Sequence, residues 1–169
     1  GDIEVCGGGT LRFTGFADTA APSGRIGRLR LDPDQYVIDA TTVGAINGAV
    51  ADTTVQADQR IAVQADIQML TAGVGLTLQA PLIEFHDERV VRTNGGRLQL
   101  QGDASFLGDV SLNTGGGALV ANGDWEFHNT RLSIDTGGYP APRGDLTLIG
   151  DLTGCTQLWA NAGDVSREG

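Results

Sequence analysis

No lysine occurs anywhere in the 169 residues, so the eleven basic side chains are all arginine, against twenty-one aspartates and glutamates. The formal net charge is −10 and the pI near 4.4. That balance argues against nucleic acid as a partner, since phosphate neutralisation needs a basic stripe. The missing lysine reads as genome composition rather than as selection for guanidinium chemistry. Aromatic residues are scarce, at 5%, while glycine numbers 26 and hydrophobic residues make up 40%. An ordinary helical globule is thereby disfavoured: the chain has many turns and a core of small or aliphatic side chains.

Long apolar runs are also absent. No stretch of about eighteen apolar residues exists, and the chain opens Gly-Asp-Ile-Glu without a basic, apolar leader, so membrane insertion is not expected. It begins without methionine, which reads as a mature product or a piece of something longer. Two cysteines, Cys6 and Cys155, stand near opposite ends of the sequence. They report no disulfide framework, and in an elongated molecule they could not come within the roughly 7 Å that a bridge allows between Cα atoms. Both read first as small buried hydrophobes.

What is present is a repeat, the feature to test first because missing it mis-assigns the whole fold. Leu76, Leu98 and Leu119 follow one another at 22 and 21 residues, and Phe85, Phe106 and Phe127 at 21 each. Val110 and Leu112 are matched 22 residues later by Leu132 and Ile134. Each anchor lies in a short alternating strand, and the strands are punctuated by Gly-Gly, Asn-Gly and Gly-Asp. Three short strands in about 21 residues are one coil of a β-solenoid, with like strands stacked at about 4.8 Å. A β-sandwich would alternate too, but has no reason to hold a constant interval.

The expected fold is therefore all-β: a right-handed parallel β-helix of about six coils of roughly 21 residues in one domain, residues 1–169. Phe85, Phe106 and Phe127 should stack inside it. Gln56, Gln79, Gln101 and Asn122 should form an amide row at one corner. Residues 1–52 read as irregular first coils. Leu11, Phe13 and Phe16 suggest one strand there, and Leu29 with Leu31 another. Val43, Ile46 and Val50 share a helical face, so a short helix near 42–50 should lie against the side of the rod, weakened by Gly44 and Gly48. Regular coils should fill 53–163, interrupted by a loop insertion at 137–143, and 164–169 should be a polar tail.

Leu31-Asp32-Pro33 at the end of a strand, then the small helix, then the coils from Thr53 onward, resemble the filamentous haemagglutinin-type exoproteins of two-partner secretion. The likeness spans roughly residues 25–135. It implies a right-handed β-helical passenger at the bacterial surface or secreted from it. An outer-membrane partner would export the parent, and the passenger would act as adhesin, biofilm scaffold or stalk. The family's amino-terminal secretion domain is not in this sequence.

Several groups could carry chemistry. Arg143-Gly144-Asp145 is an integrin-type tripeptide at the end of the insertion, and hence a candidate receptor contact. Gly144 and Asp145 also occupy the turn before a repeat strand, as Gly96 and Arg97 do. His86 and His128 should face outward two coils apart, about 9.6 Å, too far to share a metal. No calcium loop is spelled around Asp32 or Asp34, and neither metal nor cofactor is called for. Glu84 and Glu126 should also point outward two coils apart, near the upper end for an inverting carboxylate pair. Only Ser105 lies between them, and no arginine aligns.

The reading is an adhesive or structural rod rather than an enzyme. A polysaccharide-active lyase or hydrolase is the alternative, and a self-assembling extracellular filament subunit a further one. Its partners would be a host-cell or matrix receptor or a glycan. Bare strand edges at both ends imply end-to-end association or continuation into a longer parent, with Cys6, Cys155 and Trp159 as candidate contacts.

Overall fold

The computed structural model describes residues 2–11, 13–14, 29–137 and 143–168, the side chains of Cys6 and Thr10 excepted. It is a parallel β-solenoid of about seven turns with coils of about 22 residues, one turn more than the sequence reading expected. Three strands close a regular coil. The first positions are β1 (Ile3–Leu11), β2 (Leu29–Ile38), β3 (Thr53–Gln56), β6 (Leu76–Phe85), β8 (Leu98–Phe106), β10 (Leu119–Asn122), β13 (Leu146–Ile149) and β16 (Val165–Glu168). The second positions are β4 (Arg60–Val63), β11 (Trp125–Phe127) and β14 (Leu152–Thr153). β2, β6 and β8 run through both positions without a break. The third positions are β5 (Ile67–Gln68), β7 (Arg89–Arg92), β9 (Val110–Asn113), β12 (Arg131–Asp135) and β15 (Gln157–Asn161). First and second positions form one 11-stranded sheet, and third positions a separate 5-stranded sheet.

Alternation puts every second side chain inside, so the interior is a set of columns. Leu76, Leu98, Leu119 and Leu146 share one, and Leu78, Leu100, Ala121 and Leu148 another. Val63, Phe85, Phe106 and Phe127 fill a third. The phenyl rings stack as expected, Phe85 to Phe106 at 5.0 Å and Phe106 to Phe127 at 4.5 Å, both nearly parallel. Gln56, Gln79, Gln101 and Asn122 occupy one outward corner column, again as expected.

The turns between coils are built from threonine, glycine and aspartate. Buried Thr93, Thr114 and Thr136 donate their hydroxyls to the carbonyls of Gly96, Gly117 and Gly144. Those glycines stack so closely that a Cβ on Gly117 would lie 2.1 Å from the Gly96 carbonyl oxygen, and one on Gly144 2.1 Å from that of Gly117. At the corners Asp52, Asp66, Asp103, Asp109, Asp124 and Asp145 each accept a backbone N–H from the following coil. Much of the acidic excess is thus spent on linking coil to coil.

Three local readings change. The first strand is Ile3–Leu11 rather than one over Leu11 to Phe16; Phe13 lies past its end, and Phe16 lies outside the described residues. The helix α1 (Val43–Asn47) forms where expected, but Ile46 is fully buried, and the helix takes the third-strand place of its coil. Asn47 there bonds Gln68 and Leu70, so α1 closes the β5 edge of the 5-stranded sheet instead of lying beside the rod. The expected polar tail is a strand: β16 pairs in parallel with β13 through Leu146↔Val165 to Ile149↔Glu168. It lies exposed on a sheet edge, where Ser166, Arg167 and Glu168 are polar and Val165 is left bare. The insertion lies outside the described residues save Gly137 and Arg143.

Candidate functional site

Three outward surfaces bring chemistry-bearing residues together. The first is the turn holding Arg143, Gly144 and Asp145. Gly144 stacks on Gly117, which stacks on Gly96, so it occupies the repeat's own turn position. Its N–H donates to the Thr136 carbonyl and its carbonyl accepts from the Thr136 hydroxyl. Asp145 Oδ1 accepts the Asp164 N–H at 3.2 Å, the coil-linking bond that Asp52 makes to Gly75. The side chain of Arg143 is exposed and makes no hydrogen bond or ion pair among the described residues. Two residues of the tripeptide therefore already serve the turn.

The second surface is the outer face of the second-strand positions. Glu84, Ser105 and Glu126 share one column, as the sequence spacing implied. No arginine shares that column, as the sequence reading had it, but one reaches it from the side: Arg60 Nη1 lies 2.8 Å from Glu84 Oε2. Arg60 is in register with Leu82, two residues before Glu84, and its length spans the gap. His128 Nε2 lies 3.2 Å from Ser105 Oγ and 3.9 Å from Glu126 Oε2. A serine–histidine–carboxylate relay needs the acid on the nitrogen that does not face the serine. Here both approach Nε2, so the three do not form one. His86 faces outward, yet its Nε2 is shut off from solvent without a hydrogen bond, 3.7 Å from Glu84 Oε2. Among the described residues no group of three or more His, Cys, Asp or Glu side chains is placed to hold a metal ion.

The third surface, on the 5-stranded sheet, was not singled out from the sequence. Val90, Ser111, Ser133 and Trp159 form one outward column across β7, β9, β12 and β15. They line a groove of about 440 Å³ together with Glu88, Asp109, Arg131 and Gln157. Trp159 is 52% exposed and so is half available to a ligand. The sequence does carry a signal for it: two serines and a tryptophan at outward positions of coils whose register is fixed by their apolar neighbours.

The candidate end contacts separate. Leu158, in the inward column with Val110 and Leu132, is the residue laid bare at the end of its sheet. Trp159, beside it, faces sideways into the groove. Cys155 is a free thiol, partly buried against the core. Cys6 lies on β1, in register with Asp32, at the other end of the 11-stranded sheet. Six coil steps, roughly 29 Å at about 4.8 Å each, separate the two positions. Among the described residues no helix is long and apolar enough to cross a membrane. Comparison of the chain with known protein families, with curated proteins and with solved structures finds no match in any of the three.

Proposed function

We propose that the chain is a rod segment of a secreted or cell-surface bacterial adhesin or exoprotein, serving adhesion, biofilm or filament formation. The observation that carries this reading is the coil-to-coil register, which holds between β2 and β13 apart from one shift between Gln79 and Leu82. The same columns continue from β2 to β13, and corner aspartates tie the β3 coil to the β6 coil, the β8 coil to the β10 coil and the β10 coil to the β13 coil. Such a stack resists bending, holds its outward side chains in straight rows and grows in length by adding coils. Export of a longer parent through an outer-membrane partner fits the resemblance of residues 25–135 to two-partner secretion exoproteins.

The test is adhesion of beads carrying the purified chain to host-cell monolayers, to matrix proteins and to bacterial biofilm, against beads carrying an unrelated acidic protein. Binding to at least one surface supports the rod as an adhesin. No binding to any of them, with no self-association in solution, defeats it. Arg143→Ala separates the tripeptide from the rest. Arg143 contributes no side-chain bond to the coil, so adhesion lost in that variant assigns the contact to the tripeptide.

A polysaccharide-active enzyme is the second reading, favoured by the Arg60–Glu84 pair beside Ser105, His128 and Glu126. Turnover of a polyuronate that disappears in Glu84→Gln would move the function there.

A further inference from the structure

The groove on the 5-stranded sheet has the chemistry of a sugar site. We infer that it binds an extended, uncharged oligosaccharide lying along the rod axis, which would give the adhesive rod its ligand and to that extent rests on the reading above. Ligand clefts combine apolar surface with a few placed polar groups, and this one does. Its floor is the column Val90, Ser111, Ser133, Trp159, small side chains leading up to one half-exposed indole. It crosses four strands, or roughly 14 Å at about 4.8 Å per step, so the occupant is elongated.

Direction and charge decide between occupants. The groove runs across the strands, and β7, β9 and β12 are paired on both sides. An extended peptide gains affinity by adding to a strand edge with main-chain hydrogen bonds. A peptide on β15 would run along that strand and therefore across the groove. A sugar chain needs no such edge, because side chains alone can satisfy its hydroxyls.

The wall carries both signs. Glu88 and Arg131 make no side-chain bond elsewhere, and Asp109 uses one oxygen on the Arg131 N–H at 2.8 Å, leaving the other free. Arg89 is already committed to Asp87 and to the Glu88 carbonyl. Carboxylates repel polyanions and guanidinium repels polycations, whereas hydroxyls can donate to the former and accept from the latter. Trp159 supplies an amphipathic surface for the apolar face of a pyranose ring, with its N–H left for a hydroxyl.

The chain holds two tryptophans, and Trp125 is buried, so ligand-dependent protection from acrylamide quenching reports Trp159. The experiment is electrophoresis of the full chain through gels carrying β-glucan, mannan, galactan or xylan, with polygalacturonate as the charged contrast. Quenching is then measured with an oligosaccharide of whichever polymer retards it. Retardation by at least one neutral polymer is expected, with protection of Trp159. It should weaken at least tenfold in Trp159→Ala and also in Ser111→Arg, which fills the floor and leaves the tryptophan in place. Circular dichroism would check that both variants fold. No neutral gel retarding the chain, retardation by polygalacturonate alone, or wild-type retardation in either folded variant overturns the inference. Adhesion lost while retardation persists defeats the adhesive rod alone. Retardation absent while adhesion persists defeats the groove alone.

Discussion

Phe106 has a ring on each side of it along the axis, Phe85 and Phe127, and Trp125 tilted against it at 5.1 Å. Its truncation opens a cavity that the stacked backbones above and below cannot collapse, because their spacing is fixed by hydrogen bonds. Phe106→Ala should therefore cost about 3–5 kcal/mol, read as a fall in the urea midpoint. A wild-type midpoint would mean the column is not packed as described. The corner aspartates act through single bonds instead. Asp124 donates its N–H to Asp103 Oδ1, and its own Oδ1 accepts from the Asp151 N–H at 2.9 Å. Asp124→Ala removes that acceptor at an exposed corner and should cost about 1 kcal/mol, while Asp124→Asn, which keeps a side-chain oxygen, should recover most of it. Equal losses in the two variants would point to charge rather than hydrogen bonding.

At the scale of one element, α1 depends on the turn before it. Asp39 Oδ1 accepts the N–H and hydroxyl of Thr41 and the N–H of Thr42, and Thr42 donates its hydroxyl to the Val37 carbonyl. These bonds, those to Thr41 foremost, favour the charged carboxylate and hold its pKa at about 2, down from 3.8. A depressed carboxylate contributes stability that is present above its unfolded pKa and lost as pH falls through its folded one. Acid should thus loosen α1 as pH drops from about 4 to about 2, seen as faster amide exchange at Ile46 to Gly48. Asp39→Asn should remove that pH dependence, and its persistence would locate the titration elsewhere. The helix was legible because Ala40 to Ala51 breaks the alternation. The coils from Leu76 to Ile134 were legible because leucine recurs in one inner column, at 76, 98 and 119, and phenylalanine in another, at 85, 106 and 127, at a nearly constant interval. β16 was not, since Ser166, Arg167 and Glu168 carry no apolar alternation, and pairing to β13 alone makes them a strand. The Arg60–Glu84 contact was hidden too, because a flexible side chain joins residues that share no register position. A corner aspartate looks like any turn residue until the neighbouring coil supplies its donor.

The whole molecule closes its two sheets unequally. α1 covers the start of the 5-stranded sheet, and at the far end of the 11-stranded sheet Arg167 enters the column that holds Leu31, Val55, Leu78, Leu100 and Leu148. A charged side chain on an edge strand is one way a sheet discourages pairing, and the Arg167 guanidinium, half exposed, lies 3.9 Å from Asp151 Oδ1. β15 has no such device. It is the last strand of its sheet, with Leu158 44% exposed next to the buried Leu132 and Val110 of its column, and on the 11-stranded sheet Val165 of β16 is 62% exposed. An exposed apolar residue on an unpaired strand edge is a template for pairing with a second copy, and a contact between unlike ends does not close on itself. Sedimentation of the isolated chain at rising concentration should therefore show linear association rather than a single dimer. Leu158→Lys should suppress it by putting a charge where the neighbour's core column would begin. Arg167→Leu should strengthen it by continuing the column of Leu148 with an apolar side chain on the edge of the 11-stranded sheet. A chain that sedimented as a monomer at every concentration, or a Leu158→Lys variant that associated as the wild type does, would rule out growth from this end.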